Sequence, residues 1–358
     1  MPRQIYLYRD KPVFALDVGH NNLKILQIQR VKGHKTSNVE IVGYGTTAFE
    51  VDSVVDGVVV KPEAIAKSLL DLFKNDLIGD ITTNRVTISI PSYRTFSRSV
   101  QLPRLSGKQL KAAIELEVEQ YIPVPLIDLY IDYAPVHTKD DLVEYLVVAV
   151  PRKIVDSYVV LTRLAGLEVV LIETTMNATS RLLNLDSQND LPTVVIDFGS
   201  LSSDISIYDK NVLATGTVPG GGEVFTDNIC EKLNVSKEEA GIIKTKYGLG
   251  LSKKQKEITE ALTPVLEQIV KEIKRMIRYY NDRYGTTRSI AQVVALGGGA
   301  NMPGLTDYLT QSLRLPSRTA SPWLYMDYHD LQPPSEPDKT MYATVAGLSL
   351  VNPKEIFE

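Results

Sequence analysis

Phe14-Ala15-Leu16-Asp17-Val18-Gly19-His20-Asn21-Asn22-Leu23-Lys24-Ile25 and Val194-Val195-Ile196-Asp197-Phe198-Gly199-Ser200-Leu201-Ser202-Ser203-Asp204-Ile205 align without a gap. Each copy reads as an apolar strand ending in Asp-x-Gly, a tight turn, and a second strand. One Asp-x-Gly is an ordinary turn with a helpful glycine. Two copies in one chain point to an internal duplication, which is sought before anything else. The residue types suit polyphosphate. Glycine lets backbone amides converge without a Cβ in the way, and an aspartate at a strand end can hold a hydrated Mg²⁺. Asn22, Ser202 and Ser203 add small polar donors. A third element, Gly297-Gly298-Gly299, follows the apolar run Ile290 to Leu296. It departs from the dinucleotide pattern Gly-x-Gly-x-x-Gly at Met302, and no Gly-x4-Gly-Lys-Ser/Thr occurs in the sequence.

Working outward, Val13 to Val18, Leu23 to Gln29 and Val39 to Gly45 read as an antiparallel meander. Pro62 opens a helix through Phe73, and Arg85 to Ile90 reads as a buried strand ending at Pro91. Ser106 and Gln109 have the spacing of a capping box. The helix they would open stops at Ile122-Pro123-Val124-Pro125, since each proline pushes its predecessor out of helical geometry. Strands Leu129 to Pro135 and Glu144 to Val150 follow, then a helix over Arg152 to Ala165. Thr193 to Asp197, Asp204 to Tyr208 and Val212 to Val218 repeat the meander. Helices begin near Gly222, and Ile258, Leu262, Val265, Ile269, Ile273, Met276 and Tyr280 keep a strong helical spacing. Pro264 is expected to restart or kink that helix. Pro316 to Lys339 reads as an extended surface loop, and Tyr342 to Leu350 as a last apolar helix.

The composition is that of a soluble globular chain. Of 358 residues, 44% are apolar and 23% charged, and 39 basic against 43 acidic residues leave a net charge of -4. That balance argues against a nucleic-acid partner, which needs clustered Lys and Arg. A single cysteine, Cys230, excludes an intramolecular disulfide framework and fits a reducing compartment. No apolar run approaches a membrane span, and Met1 to Lys11 has no signal-peptide core. The expected location is therefore the cytoplasm, with no direct membrane insertion.

These residues resemble the actin and sugar-kinase superfamily and, within it, the type IV pilus assembly protein PilM family, which is related to the cell-division actin homologue FtsA. Three stretches carry the narrower resemblance: Glu117 to Pro125, ending in Tyr-Ile-Pro-Val-Pro; Val148 to Arg152 with Ala165-Gly166-Leu167; and Tyr342 to Leu348. The resemblance implies an α/β, actin-like (ribonuclease H-like) two-lobed fold with duplicated five-stranded sheet cores and a small α+β insert in lobe 1. It implies a first-lobe core at 1–92 and 166–190, an insert at 93–165, a second-lobe core at 191–225 and 286–358, and a helical subdomain at 226–285.

It also implies ATP or ADP with Mg²⁺ bound between the lobes. Asp17 and Asp197 would hold the metal through water, and Lys24 would contact the β-phosphate. Gly19, His20, Asn21 and Asn22 would cradle phosphate in the first turn, and Gly199, Ser200, Ser202 and Ser203 in the second. Gly220, Gly221 and Gly222 would lead to the nucleotide-facing helix, Gly297, Gly298 and Gly299 would form the adenosine loop, and Lys244 would lie near the ribose. Glu173, with Asp197, is the candidate catalytic acid near the metal. Gly241 stands where relatives carry a ribose-binding glutamate, and His20 replaces a small hydroxyl residue.

Three functions follow from this resemblance. The first is a cytoplasmic adaptor of a type IV pilus or related secretion machine, with weak or no ATP hydrolysis. It would grip the N-terminal tail of a PilN-like inner-membrane protein within Val86 to Ala165, and the pilus motor ATPases are further partners it allows. The second is a small-molecule kinase, for which no acceptor-site signature is found. The third is a polymerising cell-division actin homologue. The short acidic end Asn352 to Glu358 counts against self-tethering to a membrane.

Overall fold

A computed structural model describes residues 11–31, 39–185, 191–285, 288–336 and 338–351. The readings made above for 1–10 and 352–358 lie outside the described residues. Along the chain, β1 (Phe14–Val18), β2 (Asn22–Arg30) and β3 (Val39–Ala48) are followed by a short hairpin of β4 (Val54–Val55) and β5 (Val58–Val59). Next come α1 (Pro62–Asn75), β6 (Ile78–Gly79), β7 (Arg85–Ile90), β8 (Phe96–Pro103), α2 (Gly107–Tyr121), β9 (Leu129–Lys139) and β10 (Leu142–Pro151). They lead to α3 (Arg152–Leu164), β11 (Glu168–Thr174) and α4 (Thr175–Ser180). The second repeat holds β12 (Thr193–Phe198), β13 (Ser202–Asp209), β14 (Asn211–Pro219), α5 (Gly222–Leu233), α6 (Lys237–Lys246) and α7 (Gln255–Tyr284). It closes with β15 (Gln292–Leu296), α8 (Leu305–Leu313), β16 (Ser317–Thr319) and α9 (Ala343–Ser349).

Two sheets share one topology. The first is ordered β11-β7-β1-β2-β3-β6 and the second β14-β13-β12-β15-β16. In each, three strands form an antiparallel meander and the first of them pairs in parallel with a later strand. A further parallel strand completes each five-stranded core, β11 in one and β16 in the other. The first sheet gains a sixth strand beyond the expected five, the two-residue β6, which pairs with β3 at Gly43 and Tyr44. Every residue of β1, β7 and β15 is buried, as expected of strands covered on both faces.

Contacts gather the chain into two units, one of 1–91, 153–186 and 322–358 and the other of 92–152 and 187–321. In the first, α1 starts at Pro62, whose fixed φ suits the first helical turn. The helix α9 packs on β1, β2, β7 and α4 with every residue buried. Gly347 sits so close to the carbonyl of Ala178 that a Cβ has no room. The stretch expected as a surface loop is partly core: β16 belongs to a sheet, while Trp323 and Met326 are buried. Trp323 packs against Tyr44, Tyr328 and Tyr342, and Asp327 bridges to β3 at Glu40. Trp323, Met326 and Tyr328, set within a Pro- and Asp-rich segment, form this strap, a sparse pattern that hides its burial.

In the second unit, residues 92–152 form a three-stranded sheet ordered β8-β10-β9. It is covered by α2 through Ile114 and Val118 over Val100, Tyr145, Val147 and Ala149. This piece interrupts the chain path of the first sheet, between β7 and β11, while its contacts lie with the second unit. The helix α2 starts after Ser106 as expected, but Ser106 makes no side-chain cap. A capping box occurs instead at Ser236 and Glu239, where both reciprocal hydrogen bonds form. The helix α7 runs unbroken through Pro264. Its buried face from Ile258 to Tyr280 outweighs the one lost backbone bond, and Thr263 Oγ1 donates to the Thr259 carbonyl nearby.

The Gly347 contact is testable. Gly347→Ala should destabilise the chain by about 1–3 kcal/mol through overpacking against Ala178, read as a lower urea midpoint at unchanged slope. An unchanged midpoint would show that α9 does not close this core.

Candidate functional site

In the first unit, the sheet brings four polar side chains into a row along one end of its strands. Asp17 on β1 stands directly opposite Lys24 on β2, and Glu173 on β11 opposite Ser89 on β7. Lys24 Nζ lies 3.4 Å from Asp17 Oδ2 and donates to Asn22 Oδ1 at 2.9 Å. Ser89 Oγ donates to Asp17 Oδ1 at 2.7 Å. Both Asp17 and Lys24 are buried; a buried pair broken on one side leaves an uncompensated charge. Gly19 N donates to the Asn22 carbonyl at 2.8 Å and closes the turn. A Cβ on Gly19 would sit 3.0 Å from Asn22 Oδ1. His20 and Asn22 are half-buried and Asn21 is exposed. Glu173 accepts from Asn177 Nδ2 at 2.8 Å and is ion-paired with Arg181. Its charge is thus held by two donors of its own unit.

In the second unit, the same register sets Asp197 opposite Asp204. The lysine of the first hairpin is replaced by a second carboxylate. Burial pushes the Asp204 carboxyl up to about 6, opposed by the Thr217 hydroxyl, which donates to Oδ1 at 2.6 Å. The Gly220 to Gly222 turn packs back to back on the Gly199 turn. Gly222 N donates to the Gly199 carbonyl at 2.8 Å and Glu223 N to that of Ser200 at 2.9 Å. A side chain at Gly221 would collide with both carbonyls. Ser203 is fully buried and donates to the Gly220 carbonyl at 2.8 Å, so its hydroxyl staples the two turns together. Ser202 and Ser200 are half-buried.

Lys244 on α6 donates to the Gly222 carbonyl at 2.7 Å and to Thr226 Oγ1 at 2.8 Å. Desolvation lowers its pKa, with Glu223 and Asp227 opposing. On the same helix, Gly241 has open space where a Cβ would go. Gly297, with φ +83, lies against the Asp197 carboxylate, and Gly299 against Phe198. Any side chain at Gly297 would displace Asp197. Within each unit, then, the structure joins some of the expected residues: Asp17, Gly19, Asn22 and Lys24 in one, and Gly199, Ser200, Ser203, Gly220 to Gly222 and Lys244, with Asp197 and Gly297, in the other. It adds Ser89, Asn177 and Arg181 in one, and Asp204, Thr217 and Thr226 in the other. Asp204 was legible in the alignment, opposite Lys24. Ser89 had no signal beyond its place on an apolar strand.

Two hairpins in the same register, each with glycine-closed turns and an aspartate near the end of a buried central strand, define an actin-like ATPase fold. The chain belongs to the type IV pilus assembly protein PilM family, whose sequence profile matches residues 15–352. The solved PilM-PilN type IV pilus biogenesis complex superposes with a TM-score of 0.79 at 23% identity, over 94% of this chain and 97% of that chain. MreB5 of Spiroplasma citri bound to ADP superposes with a TM-score of 0.52 at 14% identity, over 98% and 97%. The cell division protein FtsA of Bacillus subtilis (strain 168) is 23% identical over 86% of this chain and 78% of that protein. Matches to FtsA of Enterococcus faecalis and of Neisseria meningitidis span 40% of each of those proteins. Likeness at these identities establishes the fold, while the chemistry rests on the residues above.

The carboxylate of Asp204 gives a pH signature. Its folded pKa lies above the unfolded value, so the stabilising protonated form is favoured in the fold at low pH. That advantage is lost as pH rises from about 4 through about 6. Asp204→Asn should therefore gain stability relative to the parent at pH 7 over pH 4, by on the order of 2 kcal/mol. Urea titrations of metal-free protein at both pH values measure this, and a pH-independent difference would refute it.

Proposed function

We propose that this chain is a nucleotide-dependent adaptor of type IV pilus assembly. It binds ATP or ADP with Mg²⁺ through the glycine turns of its two units, and it binds the short cytoplasmic tail of an inner-membrane pilus protein. The observation that carries the nucleotide half is the repeated hairpin register. It sets Asp17 beside Lys24 in one turn and Asp197 beside Asp204 in the other. The turns fit phosphate: a Cβ at Gly19 would crowd Asn22, and one at Gly221 or Gly297 has no room. Mg²⁺, when bound, neutralises phosphate oxygens and keeps most of its waters.

The two turns have different work. In the first, Lys24 balances Asp17 and presents an ammonium to phosphate. In the second, two carboxylates stand side by side with no lysine opposite, which favours the cation there. Lys244 donates into the α5 terminus, and the open space at Gly241 leaves the nucleoside contacts fewer than relatives have. Glu173, held by Arg181 and Asn177, is a poor base, so turnover by the chain alone is slow. That counts against the kinase reading.

The tail half is supported by family membership and by the likeness to the PilM-PilN complex. It is also supported by the insert surface. Tyr121, Ile127 and Tyr130 are exposed there, Ile127 by 79%. Arg98 stacks on Tyr121 at 3.4 Å and Arg152 on Tyr130 at 4.1 Å. Exposed aromatic and Arg side chains are the residue types that anchor interfaces. Among the described residues no helix is long and apolar enough to cross a membrane. A protein partner would then hold the chain at the inner membrane from the cytoplasmic side.

Calorimetric titration with ATP and Mg²⁺ tests the nucleotide half. Asp17→Asn and Asp197→Asn should each weaken binding by about tenfold or more, and unchanged affinity in both would overturn the site. Co-purification with the tail of a neighbouring inner-membrane pilus protein tests the other half. Absence of binding with and without ATP would overturn the adaptor.

A further inference from the structure

About a third of the way along, α7 touches the Gly220 turn, which packs on the second phosphate turn, and its C-terminal end touches the insert. At the first contact, Gly220, with φ +124, lies against Val265, whose Cγ1 would be 2.7 Å from a Cβ at that glycine. At the other end, Glu144 of β10, only 2% exposed, accepts from Tyr284 at 2.8 Å and pairs with Arg283 at 2.8 Å. Glu144 Oε2 and Arg283 Nε are buried with no hydrogen-bond partner among the described residues. Among the described residues, the compensation this carboxylate receives comes from Arg283 and Tyr284 of α7. Burial and the Glu144 carboxylate push the Tyr284 phenol up, so it stays a donor.

The strand β13 runs in the same direction. It starts in the phosphate turn at Ser202 and ends at Asp209. There Tyr280 of α7 donates to Asp209 at 2.8 Å, and Arg288 pairs with the same carboxylate. From Val265 to Tyr284 the helix covers about 28 Å, and β13 covers about 23 Å. Two regular elements thus join the phosphate turn to one corner, and the insert is fastened to that corner through Glu144. Its sheet is also held elsewhere: β8 packs against β14, where Ser99 Oγ donates to the Leu213 carbonyl at 3.2 Å, and Val136 of β9 packs on the second-unit core.

We propose that Glu144, Arg283 and Tyr284 are positioning residues that transmit occupancy of the second phosphate turn to the insert through α7. This rests on the reading that the turn takes a nucleotide. Packed side chains and regular elements carry coupling of this kind. The insert is then held in a nucleotide-dependent state and is not a free docking arm.

Hydrogen exchange of the full chain, with and without ATP and Mg²⁺, tests this. In the parent, nucleotide should slow exchange in peptides covering 197–204 and 218–224, and also change exchange in β10 by about fivefold. Glu144→Gln and the milder Tyr284→Phe should keep the response of the turns and lose that of β10. Val147→Ala, which loosens the insert core without touching the clamp, should raise exchange in β10 but keep its response to nucleotide. Retention of the β10 response in both clamp variants would overturn the inference. So would a parent whose turns respond while β10 does not. If the turns themselves do not respond, the nucleotide reading fails and takes this inference with it.

Discussion

A glycine-closed turn fixes which residue stands across from the central aspartate, and that single register governs both halves of the molecule. In each hairpin the partner lies seven residues on, Lys24 for Asp17 and Asp204 for Asp197. A slip of one residue would turn the side chains of β2 or β13 to the other face of the sheet. It would bury polar groups where Leu23 and Ile25 now pack and lift the aspartate's neighbour away. The glycines permit the register, and the buried apolar strands on either side enforce it.

From this shared frame the two halves diverge by charge. The first hairpin is compensated internally, since Lys24 and Ser89 both reach Asp17. The second sets a buried carboxylate, Asp204, beside Asp197, and the Thr217 hydroxyl donates to Asp204. The repeat is therefore symmetric in backbone and asymmetric in electrostatics. The surrounding glycines extend the same logic: at Gly221 and Gly297 the close approach is of backbone to carbonyl or carboxylate, which no other residue permits.

Much of this was legible in the residues. The duplicated strand-turn-strand pattern gave both sheets, because buried central strands leave continuous apolar runs. The helices α1, α2, α3, α7 and α9 followed from spacing and from proline positions. Features built by long-range contact were less visible. The strap around Trp323 looks like a loop because its apolar residues keep no period, and β8, with mixed side chains on an insert edge, has no strong alternation. The cap at Ser106 failed although its spacing was right, while Ser236 and Glu239 made one. Pro264 was read by its local rule, and the packing of a thirty-residue helix overrode that rule. In the site, the two turns were legible, whereas Ser89 and the clamp on Glu173 come from strands brought together only by folding.

The place of α9 has a consequence for how the chain is made. The first sheet begins at Phe14, yet the helix that covers β1, β2 and β7 is among the last described residues, 343–349. On a ribosome, the second unit has its whole sequence in hand once residue 321 has emerged, and its insert and meander can pack at once. The first unit must wait, with its apolar meander exposed, until the C-terminal helix arrives. An early-synthesised sheet that is capped last is a standing hazard for aggregation.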